Sequence, residues 1–88
     1  MISKVTTIVN PTGFHMRPAG FFANALAGYQ SAIKLKTPAK EVNAKSLMHI
    51  IGAGLKCGMT VEVIADGPDE AEALAKAVEL IDSGLGEL

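Results

Sequence analysis

His15 and Arg17 are the side chains whose types and spacing best suit chemistry. They stand in Gly13-Phe14-His15-Met16-Arg17-Pro18-Ala19. Pro18 belongs in a first helical turn, where its missing N–H removes no hydrogen bond. A helix that starts after His15 leaves the N–H groups of Met16 and Arg17 at its positive end, which favours an anion. A histidine placed there can act as a nucleophile toward a phosphoryl group. The phosphoryl oxygens can accept from the two N–H groups, with the Arg17 guanidinium as a charged fork beside them. Gly13 permits a tight turn and leaves the ring accessible. A lone histidine at a helix start is more often a modest cap. The glycine turn, histidine, arginine and proline together favour the chemical reading.

The remaining candidates carry less. Ser46 reads as a helix N-cap contributing about 1 kcal/mol. A phosphate on it, next to Lys45, would be electrostatically tolerable, yet the cap alone accounts for the residue. Leu47, Met48, Ile50 and Ile51 are apolar on nearly every side of one short helix, so some should stay exposed and form a docking patch. His49 reads as a partly exposed helix residue and Cys57 as an ordinary thiol. No paired carboxylates, Ser-His-Asp set, Walker loop or Cys-x-x-Cys pair is present. A self-contained enzyme and a structural zinc site are both disfavoured.

These residues need a scaffold, and 88 residues give a single domain over 1–88 with a thin core. Ile2 to Val9 is rich in β-branched residues and predicts a strand. Asn10-Pro11-Thr12-Gly13 is turn chemistry. Ala19, Phe22, Ala23, Leu26 and Ala27 recur at helical spacing, and Gly28 suits a positive φ at that helix's end. Ala32-Ile33-Lys34-Leu35-Lys36 alternates like a half-buried strand. Glu41-Val42-Asn43 is a short strand, and Gly52 and Gly54 stop the short helix that Ser46 starts. Met59 to Ala65 predicts a central strand. Asp69 with Glu72 fits a capping box, and Ala71, Leu74, Ala75, Val78 and Ile81 form the expected buried stripe of the last helix. The order β-α-β-β-α-β-α predicts an α+β fold, an antiparallel sheet with helices on one face.

Charge and composition narrow the function. The net charge is −1, but residues 1–60 hold seven cations against Glu41 alone, a balance of +6. Residues 61–88 hold Lys76 against eight carboxylates, a balance of −7. A basic half suits an acidic partner; a plainly solvated acidic helix would give the same count. One arginine and few aromatics make nucleic acid a poor partner. The uncharged run 18–33 with Ala25-Leu26-Ala27 imitates a secretion signal, but Gly20, Asn24 and Gly28 and the strand before it fit an amphipathic helix better. No stretch is long enough to insert into a membrane. The single cysteine suggests a cytoplasmic chain. A phosphoryl carrier, a small ligand-binding regulatory module and a pure docking protein all remain open on these grounds.

The motif Pro11-Thr12-Gly13-Phe14-His15-Met16-Arg17-Pro18-Ala19 resembles the active-site motif of the histidine-containing phosphocarrier (HPr) family of the bacterial phosphoenolpyruvate:sugar phosphotransferase system. Asn43-Ala44-Lys45-Ser46-Leu47-Met48 resembles that family's second motif, and Gly84-Leu85-Gly86-Glu87 resembles its low-GC Gram-positive branch. The resemblance implies an open-faced sandwich: a four-stranded antiparallel sheet, order 1-4-2-3, under two long helices and one short one. It implies a carrier, not an enzyme. His15 would take a phosphoryl group on its ring Nδ1 from phospho-enzyme I and pass it to the IIA domain of a sugar permease. The backbone of Met16 and Arg17 would hold the phosphoryl group, and the Arg17 side chain would assist transfer. Ser46 would be a regulatory site for a serine kinase/phosphorylase, its phosphorylated form binding a catabolite-control repressor. Lys45, Leu47, Met48 and Ile51 would dock partners. The resemblance further implies a monomer with no cofactor and no metal. Met16 departs from the smaller residue common there, and His49-Ile50-Ile51-Gly52 departs from the usual sequence of the short helix.

Overall fold

Strand pairing follows the alternation in the sequence. A computed structural model describes residues 1–87. Its elements are β1 (Ile2–Thr7), α1 (Met16–Leu26), β2 (Ala32–Lys36), β3 (Glu41–Asn43), α2 (Leu47–Ala53), β4 (Thr60–Asp66) and α3 (Glu70–Asp82). The four strands form one antiparallel sheet in the order β1-β4-β2-β3. This is the open-faced α+β arrangement expected. The run Val61, Val63, Ala65 makes β4 interior, between β1 and β2. Ile33 and Leu35 of β2 face the same core, and Lys34 and Lys36 face water. Burial of one face and solvation of the other fixes this register, because a slip of one residue would invert every side chain.

The helices bring small residues to the sheet. Pro18, Ala19, Phe22, Ala23 and Leu26 of α1 are buried, close to the stripe its periodicity predicted. The buried face of α3 is instead Ala73, Ala77, Val78, Leu80 and Ile81. Ala71 and Ala75 are exposed. With alanine at four of its thirteen positions, α3 has two apolar stripes of similar strength, and the larger Leu80 and Ile81 decide which turns inward. Gly52 does not end α2; Gly54 does, as a left-handed cap at φ 66°. Gly28 does not take a positive φ, because α1 closes through Ala27, whose N–H donates to the Asn24 carbonyl.

The expected Asp69–Glu72 capping box is also absent. Asp69 is the N-cap of α3 but makes no side-chain cap bond. Its carboxylate turns to the segment before β2 and accepts from the Gln30 N–H, the Ser31 N–H (2.9 Å each) and the Ser31 hydroxyl. A buried Ser31 needs that acceptor more than the helix end does. The Ser31 hydroxyl, with the Gln30 and Ser31 N–H groups, holds the Asp69 carboxyl below its ordinary range. A depressed carboxyl stabilises the fold above its unfolded pKa of about 3.9 and loses that contribution as pH falls through the lower folded value. Asp69→Asn is therefore expected to melt several degrees lower at pH 7, with the gap narrowing as pH falls below the unfolded value of about 3.9. Thermal melts across that range check it; a gap independent of pH would remove the carboxylate's role.

Candidate functional site

Phe14 goes into the core and His15 comes out, and that alternation builds the site. Asn10 to Gly13 turns tightly, the Gly13 N–H donating to the Asn10 carbonyl at 3.1 Å. The Phe14 N–H then donates to the Leu55 carbonyl at 2.9 Å. The Phe14 ring meets Phe22 edge-on, centroids 5.0 Å apart. With Phe14 anchored on both backbone and ring, His15 stands in solvent as the N-cap of α1. Its φ and ψ of −70° and 172° are extended, and its side chain makes no cap bond. Its carbonyl begins the helix by accepting from Ala19 at 2.9 Å.

The helix end is open as the sequence predicts. Among the described residues, no hydrogen bond is formed by the Met16 or Arg17 N–H. Pro18 has no N–H, so these are the two donors the first turn offers. Met16 and Arg17 are exposed. Arg17 lines a cleft of about 450 Å³ with Pro18, Phe21, Leu85, Gly86 and Glu87. The Arg17 guanidinium forms no ion pair among the described residues. An exposed imidazole, two N–H donors and a guanidinium thus share the start of one helix. That set can receive a tetrahedral dianion without first breaking a bond of its own.

The second motif lies on α2, which packs against α1. Ser46 is its N-cap, accepting from the His49 N–H at 3.3 Å. Ile50 is fully buried, Leu47 and Ile51 are half-buried, and Met48 is 75% exposed. Lys45 departs from the expectation of an outward docking charge: its ammonium donates to the Tyr29 carbonyl, tying the α1–β2 connection to the turn before α2. Lys40 likewise donates to the Gly52 carbonyl at 3.0 Å, and Lys34 pairs with Glu41 at 3.1 Å. Three of the seven cations of the basic half are therefore engaged within the fold. His49 is exposed, away from any cluster of possible metal ligands among the described residues. Cys57 is an exposed free thiol.

Sequence reasoning missed Phe21, Asn10, Thr12 and Glu87. Phe21 is 47% exposed in the Arg17 cleft. Its signal was present, since the residue beside buried Phe22 must face elsewhere. The Glu87 carboxylate accepts from Asn10 Nδ2 at 2.7 Å and from the Thr12 hydroxyl at 2.6 Å. Nothing in local spacing could announce a bond across 77 residues.

Residues 2–83 match the family model described as the PTS HPr component phosphorylation site. The chain belongs to the HPr family. It is 33% identical over 87 residues to the phosphocarrier protein HPr of Treponema pallidum (strain Nichols), covering 99% of each chain. The crystal structure of HPr from Thermoanaerobacter tengcongensis superimposes with a TM-score of 0.94 at 40% identity, covering 100% of this chain and 99% of that one. The crystal structure of the Bacillus subtilis protein Crh, a domain-swapped dimer, superimposes with a TM-score of 0.77 at 32% identity, covering 96% and 97%. HPr proteins are phosphocarriers of the phosphotransferase system, so the family gives this chain a carrier's role. No helix among the described residues is long and apolar enough to cross a membrane.

Proposed function

We propose that this chain carries a phosphoryl group on the His15 ring, taking it from phospho-enzyme I and handing it to a IIA domain of a sugar permease. The observation that supports this most is the exposed imidazole at the N-cap of α1, beside two N–H groups, all of them without a hydrogen bond among the described residues. On charging, a P–N bond forms at the ring as the donor's bond to phosphorus breaks, and the electron pair of that bond returns to the donor. The Met16 and Arg17 N–H groups donate to the phosphoryl oxygens. The Arg17 guanidinium offsets charge as the group moves. Chemistry of this kind needs no cofactor in the chain's own site. The chain acts as a single domain and a monomer in the cytoplasm, β1 pairing with its own β4 over its whole length. Met48, with the edges of Leu47 and Ile51, gives partners an apolar landing beside the site. Incubation with phosphoenolpyruvate and enzyme I tests the reading: the intact mass should rise by one phosphoryl group per chain. An unchanged mass would refute it.

Ser46 serves as a regulatory phosphorylation site that opposes charging of His15. Its support is the family's second motif together with its place next to exposed Met48 on the helix that packs against α1. A phosphate there adds about −1.5 to −2 charges to a surface meant for an acidic partner. The phosphorylated form would then suit a repressor of the catabolite-control class. Ser46→Asp is expected to melt like wild type and to charge more slowly, whereas Ser46→Ala should lose about 1 kcal/mol of cap energy and still charge. Equal charging rates for Ser46→Asp and wild type would leave Ser46 as a cap only.

A further inference from the structure

The chain's last described residues come back to the loop that presents His15. α3 ends in a Schellman motif: the Gly84 N–H donates to the Ile81 carbonyl and the Leu85 N–H to the Leu80 carbonyl. Leu85 is buried and is the one non-glycine residue with a positive φ, 54°, among the described residues. An L-residue holds that conformation only where its surroundings over-determine it. Here burial of the Leu85 side chain fixes the path, and Gly86 passes over the Phe21 ring. Glu87 is thereby delivered to the acceptor loop. Its Oε1 accepts from Thr12 and from Asn10. Asn10 is fully buried, and its Nδ2 also donates to the Gly13 carbonyl at 2.7 Å. Its Oδ1 is buried without a partner among the described residues. Asn10 is therefore held in its orientation by what its NH₂ group donates to, and Glu87 is one of those two acceptors.

We propose that Glu87 is a positioning residue, a built-in carboxylate that occupies the donors of the acceptor loop in the uncharged protein and is driven off them when His15 gains a phosphoryl group. The Asn10 and Thr12 hydrogen bonds hold its carboxyl below the ordinary range, with a smaller contribution from His15, so it is an anion throughout neutral pH. It lines the same cleft as Arg17. A phosphoryl dianion at the start of α1 puts a second anion into this small field. Repulsion destabilises the charged form relative to the uncharged form and thus favours onward transfer. The strap takes no part in bond making. It sets the level from which the phosphoryl group leaves.

The inference rests on the carrier reading, and one experiment separates the two. Equal amounts of wild type and Glu87→Ala share a limiting quantity of phosphoenolpyruvate through catalytic enzyme I, and intact mass reports how the phosphoryl group partitions. At equilibrium the variant should hold it about three- to tenfold more than wild type, the size of carboxylate–dianion repulsion at an exposed site. Glu87→Gln should show the same bias, and added salt should shrink it. A merely structural residue would lower the melting temperature without moving the partition. In ¹⁵N spectra the Asn10 side-chain amide of wild type should move, on charging, toward its position in uncharged Glu87→Ala. A wild type that accepts no phosphoryl group overturns the carrier reading and the strap together. Normal charging with even partition, or with a stationary Asn10 amide, overturns the strap alone.

Discussion

His15→Ala is expected to melt like the wild type and to accept no phosphoryl group. The two halves of that expectation have separate physical grounds. The ring is exposed and makes no cap bond, so its removal strands no buried partner and should change stability by no more than about 0.5 kcal/mol. Acceptance, by contrast, needs a ring nitrogen with an available electron pair at the open end of α1. Alanine offers none, and the loss is complete rather than graded. The second imidazole provides the control. His49 is also exposed but stands on α2, and His49→Ala should charge normally. The measurement is intact mass after incubation with phosphoenolpyruvate and enzyme I. If His15→Ala gains a phosphoryl group and His49→Ala does not, the acceptor has been misassigned.

How much of this was legible in the sequence follows the range of the interactions involved. β1, β2 and α1 were readable because strand alternation and helical spacing are local and one face of each is buried. The start of α1 was readable because Pro18 tolerates few other positions. The α3 stripe was not, since a helix with alanine on most sides carries its choice of face in the volumes of two residues at its end. Asp69 was misread for a related reason. A capping box is a local pattern, whereas the acceptor that buried Ser31 required lay 38 residues away. The lysines give the same lesson in electrostatics. Counting gave a basic half, yet Lys45 and Lys40 donate to backbone carbonyls of neighbouring segments. Charge counted along a chain sets the field only after the fold has allotted each cation its partner. In the site itself, His15, Arg17 and the two N–H groups were local and legible; the Glu87 contact was neither.

Gly13→Ala is expected to be among the most damaging single substitutions in this chain. Gly13 sits at φ 62°, which costs an alanine about 1 kcal/mol before any contact is counted. The added Cβ would lie 2.6 Å from the Leu55 carbonyl oxygen, 2.7 Å from Lys56 Cα and 3.0 Å from the Cys57 nitrogen. All three are backbone atoms, so no side chain can swing aside. The 55–57 segment must move away, yet the Phe14 N–H holds that same Leu55 carbonyl at 2.9 Å. Relief of the clash therefore breaks the bond that sends Phe14 inward and His15 outward. Together these effects should cost roughly 2–4 kcal/mol, lowering the melting temperature by roughly 10–25 °C in a domain of this size. Gly52→Ala is the matched control. Gly52 lies within α2, and an added Cβ there meets nothing within 4 Å, so alanine should stabilise by roughly 0.5–1 kcal/mol. Charging should also suffer in Gly13→Ala below its melting range, because the ring and the α1 N-terminus are then held by a loop that has lost its seat. Thermal melts and charging rates, measured side by side, separate the two effects. If Gly13→Ala melts within a degree or two of wild type, the loop yields easily, and its contact with residues 55–57 is not what positions His15.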